Sequence, residues 1–217
     1  MDKKDRISQF IQSFLPERTT FLEEIRKEAL SEAVPILREE TAALLRVCLK
    51  TKNKPKILEL GTAVGYSALV MMDALGGEGE IVTVENFPPR IEKAKQNFAA
   101  SPYREKITLL EGDGSRNLEE LLEKKEQFSF VFLDAAKAQY PLWLPSILKL
   151  LSPGGILFCD NIFQGELLLE SRFYLDRRQR TIHKRMREFL RLLQREKSLE
   201  SSILPIGDGV SLSIKKA

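Results

Sequence analysis

The sequence predicts an α/β fold: a seven-stranded, mostly parallel sheet with helices on both faces, an antiparallel C-terminal hairpin and helices at its N-terminus. Three observations predict it. From Lys54 onward, short apolar runs alternate with segments of helical periodicity, the pattern of a parallel sheet covered on both sides. The run Ile57-Leu58-Glu59-Leu60 ends in the turn Gly61-Thr62-Ala63-Val64-Gly65 and opens into a helix-like stretch. Near the end of the chain, Gly207-Asp208-Gly209 separates Ser202–Ile206 from a run in which Val210, Leu212 and Ile214 alternate with serines, which reads as a hairpin whose last strand is antiparallel to its partner.

Residues 3–50 read as a helical lead-in. Ile7, Phe10, Ile11 and Phe14 recur at helical spacing, as do Phe21, Leu22 and Ile25, and Pro16 and Pro35 punctuate the region. The strand candidates are 56–60, 80–85, 106–111, 128–134 and 155–160, with helices over roughly 65–75, 88–100, 115–125 and 138–151. The nearly continuous apolarity of 128–133 and 155–159 marks central strands. No linker rich in glycine or serine and no internal repeat divides the chain. One domain over 1–217 is therefore expected, with 54–217 as its α/β core.

The chain has 217 residues, 43% of them hydrophobic, which suits a packed core and excludes a disordered composition. No apolar run approaches the roughly 20 residues that span a bilayer. The charged start, Met1-Asp2-Lys3-Lys4-Asp5-Arg6, is followed by no apolar signal region. Cys48 and Cys159 are far apart and form no C-x-x-C pair, so the expected compartment is the reducing cytoplasm, without a membrane partner. The net charge of +3 is small, but its distribution is uneven. From Arg172 to Arg195, nine Lys/Arg stand against Asp176 and Glu188, and the rest of the chain is net acidic.

In open α/β sheets, ligands bind beyond the carboxyl ends of the strands. The Gly61–Gly65 turn sits there, and glycine lets backbone come close to a ligand. The spacing is not G-x-G-x-x-G, and no G-K-[ST] follows, so neither a pyrophosphate grip nor a Walker loop is indicated. Glu85 ends the second strand, where a carboxylate can accept from both ribose hydroxyls. Asp113, in Gly112-Asp113-Gly114 after the third strand, can accept from an adenine amine. The set suits adenosine without diphosphate, S-adenosylmethionine better than NAD.

Asp134 and Asp160-Asn161 each end an apolar strand on that same sheet edge. Ionised carboxylates there are costly unless paired or coordinated. Two carboxylates and an amide oxygen suit Mg2+, and also Mn2+ or Ca2+. One histidine, His183, and no clustered cysteines argue against zinc. His183 itself reads as a helix-surface residue. Lys137, three residues after Asp134, is placed to reach the same pocket, and a desolvated lysine beside a cation has a lowered pKa and can act as a base. Within the basic segment, Ile182, Met186, Phe189, Leu190 and Leu193 form an apolar stripe, while Arg177, Arg180, Lys184, Arg187, Arg191 and Arg195 share another face.

These residues resemble the cation-dependent O-methyltransferases, the group that includes catechol and caffeoyl-CoA methyltransferases. Leu58–Ser67 is similar to the family's cofactor motif, Asp134-Ala135-Ala136-Lys137 to its first metal ligand and catalytic lysine, and Asp160-Asn161 to its remaining ligands. The resemblance spans nearly the whole chain. It implies a Rossmann-like class I methyltransferase fold, with Lys137 catalytic and Asp134, Asp160 and Asn161 on Mg2+. It also implies that Leu37, Gly61, Thr62, Ser67, Glu85, Asp113, Gly114 and Asp134 contact S-adenosylmethionine. Asp134–Tyr140, the stretch Asp176-Arg177-Arg178-Gln179-Arg180 and Pro205–Gly209 are similar to the bacterial members that methylate 5-hydroxyuridine in tRNA. That similarity implies the wobble uridine as acceptor and 5-methoxyuridine as product, with Arg177, Arg178, Arg180, Arg187 and Arg191 on tRNA phosphates. Catechol enzymes carry His-Trp where this chain has Ala135-Ala136, which argues against a catechol pocket. The rival readings are a methyltransferase of a small catechol-like or acyl-CoA-linked phenol, a non-catalytic nucleoside- or RNA-binding module, and a nicotinamide dehydrogenase. A homodimer is expected, its face drawn from the N-terminal helices or the 182–193 stripe.

Overall fold

The computed structural model describes residues 10–11, 13–15, 17–163, 167–171 and 173–217. Ile7, Pro16 and Arg172, used in the sequence reading, lie outside the described residues. The elements run α1 (Thr20–Ser31), α2 (Glu39–Lys50), β1 (Lys56–Leu60), α3 (Tyr66–Ala74), β2 (Glu80–Glu85), α4 (Pro88–Ala100), β3 (Ile107–Glu111), α5 (Gly114–Glu123), β4 (Phe128–Leu133), α6 (Tyr140–Leu150), β5 (Leu151–Cys159), α7 (Arg177–Arg195), β6 (Leu199–Leu204) and β7 (Val210–Lys215). The seven strands form one sheet in the order β3-β2-β1-β4-β5-β7-β6. The first five are parallel, and β7 runs antiparallel between β5 and β6. The expected fold class, including the hairpin, is the one observed.

Alternation along the central strands divides the core into two layers. Ile57, Phe130, Phe132 and Phe158 face one cluster with α1–α4. Leu58, Leu60, Val131 and Leu133 face another with α5, α6 and α7. Helix α3 is buried nearly all round, from Tyr66 through Met72. Helices α1 and α2 pack against it, which gives the lead-in its structural purpose: they cover the outer side of a helix too apolar to face water.

Two boundaries differ from the sequence reading. Strand β5 begins at Leu151 rather than 155, paired with Phe128, and a register shift before the Phe130–Ile156 pair absorbs Ser152–Gly155. The helix expected from 138 begins at Tyr140, and Lys137 lies on a 3-10 turn, Lys137–Gln139, that precedes it. In β7 the serines, not all the apolar residues, are inside. Ser211 and Ser213 are buried while Ile214 is exposed, and Ser213 pairs its hydroxyl with Ser201 at 2.7 Å. The serine side of β7 is the covered one: Ser201, the partner of Ser213, also donates to the Leu193 carbonyl of α7 at 3.4 Å. No helix among the described residues is long and apolar enough to cross a membrane.

Candidate active site

Strands β1 and β4 are neighbours whose connections leave in opposite directions, so the sheet opens a crevice between their carboxyl ends. Gly61 fixes how closely the two ends approach. Its φ is 95°, and a Cβ there would lie 2.2 Å from the Asp134 carbonyl oxygen. The Asp134 amide in turn donates to the Leu60 carbonyl at 3.0 Å. A glycine at 61 therefore brings the turn after β1 against the backbone of Asp134. Gly65, at φ 85°, starts α3 and packs on the Phe98 ring.

The crevice is a cavity of about 440 Å³. Leu37, Gly61, Thr62, Ser67, Glu85, Asp113, Gly114, Asp134, Lys137 and Asn161 all line it, so every cofactor residue expected from the sequence reaches one space. Glu85 is nearly buried. Its Oε2 accepts from the Ala63 amide at 2.9 Å, and its Oε1 accepts from the amides of Asn86 at 2.9 Å and Phe87 at 3.0 Å. The carboxylate is thus locked to the glycine turn, with acceptor capacity left for hydroxyls. Asp113 caps α5, its Oδ1 accepting from the amides of Ser115 at 2.9 Å and Arg116 at 3.2 Å. Ser67, by contrast, spends its hydroxyl on Glu59 at 2.5 Å.

At the other end, Lys137 is almost wholly buried. Its Nζ donates to Asp134 Oδ1 at 2.6 Å, to the Tyr140 hydroxyl at 2.9 Å and to the Asp160 carbonyl at 3.0 Å. Burial works to neutralise this amine, but the oxygens of Tyr140 and Asp134 outweigh it and hold the pKa above the ordinary lysine value. The lowered pKa expected from the sequence is thus not found in the protein alone, because Asp134 pairs with the lysine directly. Asp160 shows the reverse strain. Burial and the neighbouring Asp134 carboxylate push it well above the usual carboxylate range, against the pull of Lys137 and the Asn161 amide. Its Oδ1 accepts from the Asn161 amide at 2.7 Å and lies 3.5 Å from the Thr41 hydroxyl. Asn161 takes a left-handed backbone, φ 55°, and its residue borders the cavity. Two neighbouring carboxylates, Asp134 and Asp160, next to the side-chain amide of Asn161, form a donor set suited to a hard divalent cation.

Three residues of this site escaped the sequence reading. Glu59 is fully buried below the glycine turn, held by Ser67 and by the Thr83 hydroxyl at 2.5 Å, and burial pushes its pKa up to about 6. A carboxylate inside an apolar run was the available signal. Tyr140 is fully buried below Lys137. Trp143, the chain's single tryptophan, packs its ring on Gly114 and donates to the Ser115 hydroxyl at 2.9 Å, lining the cavity.

Other expectations fare differently. His183 is not on the helix surface: it is 7% exposed, on the packed side of α7. The apolar stripe of α7 is likewise turned inward, with Met186, Phe189 and Leu193 buried, so it offers no dimer face. Arg177, Arg178, Arg180, Arg187 and Arg191 are exposed along α7 and do not line the cavity. Arg187 is already engaged, donating to the Leu168 carbonyl at 2.7 Å. Both cysteines are free and buried, and burial pushes the Cys159 thiol up to about 12.

Known proteins resemble this chain in sequence and in fold. The chain is 28% identical over 225 residues to tapetum-specific methyltransferase 1 of Arabidopsis thaliana, covering 97% of this chain and 93% of that protein. It is 29% identical over 183 residues to caffeoyl-CoA O-methyltransferase of Populus kitakamiensis, covering 83% and 77%. Among solved structures, a methyltransferase of Podospora anserina bound to SAH superposes with a TM-score of 0.87 at 24% identity, covering 100% of this chain and 97% of that one. The O-methyltransferase of Bacillus cereus in complex with SAH gives 0.84 at 22%, covering 97% of each. The model of the O-methyltransferase family matches residues 12–216, and the chain belongs to that family.

Proposed function

We propose that this protein transfers the methyl group of S-adenosylmethionine to the 5-hydroxyl of 5-hydroxyuridine at the wobble position of tRNA, giving 5-methoxyuridine. The observation that carries the reaction is the convergence of Asp134, Lys137 and Asn161 on the cavity that Glu85 and Asp113 also line. Glu85 and Asp113 hold the adenosine end. When bound, a divalent cation on Asp134, Asp160 and Asn161 supplies positive charge against the acceptor oxygen. Burial disfavours the charged Lys137 amine, and Asp134 carries one of the two oxygens that hold its proton, so a cation on Asp134 would favour the neutral form. Lys137 then takes the hydroxyl proton as the oxygen–methyl bond forms and the sulfur–methyl bond breaks, leaving the thioether S-adenosylhomocysteine. Alignment of the two reactants in one cavity contributes on the order of 7–11 kcal/mol to lowering the barrier.

What supports tRNA as acceptor is the basic helix. Its arginines stay exposed while its apolar side is packed away, as in an electrostatic track for phosphates. The motif similarity at Asp134–Tyr140 and Asp176–Arg180 supports the same acceptor. A second reading is favoured by the relatives named for caffeoyl-CoA: methylation of a small catechol-like or acyl-CoA-linked phenol. The working unit is a cytoplasmic homodimer in this proposal, with the exposed Leu30 and Val47 of α1 and α2 as its apolar face. Mass spectrometry of wobble nucleosides in tRNA from a deletion strain tests the acceptor. The expected result is loss of 5-methoxyuridine with accumulation of 5-hydroxyuridine; unchanged 5-methoxyuridine overturns it and leaves the phenol reading.

A further inference from the structure

Tyr140 is a fully buried phenol with all of its hydrogen-bonding capacity used. Its oxygen accepts from Lys137 Nζ at 2.9 Å and from the Ala135 amide at 3.1 Å, and its hydroxyl donates to the Leu133 carbonyl at 3.1 Å. A hydroxyl has one donor and two acceptor positions, so this one is satisfied and cannot rotate. The three contacts tie together the end of β4, the backbone just after Asp134 and the amine of Lys137. Nζ has three hydrogens, and two of its three acceptors, the Tyr140 oxygen and the Asp160 carbonyl, are buried. The third, Asp134 Oδ1, belongs to a side chain about one-third exposed at the cavity. The ring of Tyr140 is itself held, edge to face against Phe189 of α7 with centroids 5.2 Å apart.

We propose that Tyr140 is a positioning residue for methyl transfer: its hydroxyl aims the Lys137 amine at the cavity, and Phe189 holds the ring that carries it. Tyr140 does not line the cavity, so it acts through Lys137 and not on the substrate. This inference rests on the reading of Lys137 as the group that takes the acceptor proton. Tyr140→Phe keeps the ring and its contact with Phe189 while leaving Lys137 one fixed partner short.

The test is steady-state kinetics with labelled S-adenosylmethionine and Mg2+, on an anticodon stem–loop bearing 5-hydroxyuridine and, in parallel, on caffeoyl-CoA, using whichever the wild-type chain methylates. Calorimetric affinity for S-adenosylhomocysteine is read beside it. The expected result for Tyr140→Phe is a kcat lowered about 10- to 100-fold, with cofactor affinity and acceptor KM each within about twofold. If that variant fails to fold, Phe189→Leu should show the same split with a smaller loss, about 3- to 10-fold in kcat. An unchanged kcat, or equal damage to kcat and cofactor affinity, overturns the proposal and leaves Tyr140 a packing residue. Lys137→Met separates the two levels. If it turns over at the wild-type rate, the reading of Lys137 fails first. If it is inactive while Tyr140→Phe is fully active, only the role of Tyr140 fails.

Discussion

Gly61 concentrates two demands in one residue: a φ of 95° and a backbone oxygen 2.2 Å from where a Cβ would stand. Gly61→Ala is therefore expected to destabilise the chain by about 3 kcal/mol or more, read as a fall in the thermal unfolding midpoint, and to weaken S-adenosylhomocysteine binding because the turn must withdraw from Asp134. Asp160→Ala should behave differently. Turnover should disappear, while calorimetric cofactor affinity stays within about threefold, since Asp160 belongs to the acid end and does not itself line the cavity. The residues legible in the sequence are those at strand ends, such as Asp134, Asp160 and Glu85, where a carboxylate breaking an apolar run announces itself. Glu59 and Tyr140 were less legible: Glu59 carried the same signal, but its burial is explained only by the hydroxyls of Ser67 and Thr83, and Tyr140 reads as one more aromatic of an apolar helix until its hydroxyl is seen against the Lys137 amine.

At the scale of elements, periodicity located α7 but not its environment. The capping box was written at its start, with Asp176 Oδ1 accepting from the Gln179 amide at 2.8 Å and Gln179 Oε1 accepting from the Asp176 amide at 3.0 Å. His183 falls on the buried side because the apolar stripe is wider than its apolar residues, and a lone histidine carries no sign of which side it takes. The same helix offers a test of the acceptor. Arg187 is tied to Leu168, so its reversal would disturb the loop as well as the charge. Arg180→Glu with Arg191→Glu is the cleaner pair. It should weaken tRNA binding and lower the slope of log affinity against log salt by about two or more, in a filter-binding titration; unchanged affinity and slope would remove α7 from the interface. Phe189→Ala should cost about 3–5 kcal/mol of stability, because it empties the junction of α7 with Tyr140.

For the whole molecule, the mostly parallel sheet with helices on both faces and its terminal hairpin were legible because alternation of apolar runs with helices leaves few topologies open; the strand order emerges only in the folded chain. The bulge in β5 and the buried serines of β7 were not legible, since both depend on which strands become neighbours. The buried carboxylates set a pH dependence for the chain in the absence of divalent cation. The folded pKa of Glu59, about 6, lies above its ordinary 4.5, so the folded state binds that proton more tightly than the unfolded state. This contribution is fully present below about pH 4.5 and is lost as the pH rises through about 6, on the order of 2 kcal/mol in all. Asp160, also raised, acts in the same direction. In EDTA, the wild-type unfolding midpoint should therefore fall relative to that of Glu59→Gln between about pH 4.5 and 7. Mg2+ should stabilise the chain more at about pH 8 than at about pH 5.5, because its ligands bind as carboxylates. A constant difference between the two proteins, or a Mg2+ effect independent of pH, would contradict this.

Methyl transfer as proposed requires three oxygen donors and a sulfonium cofactor to meet at one rim of the sheet. A crystal structure with S-adenosylhomocysteine and Mg2+ tests it most directly. The adenosine should lie against Glu85 and Asp113, and a cation should contact the side chains of Asp134, Asp160 and Asn161 beside Lys137. A cofactor seated there with those three side chains directed to separate places, and no cation among them, would contradict it.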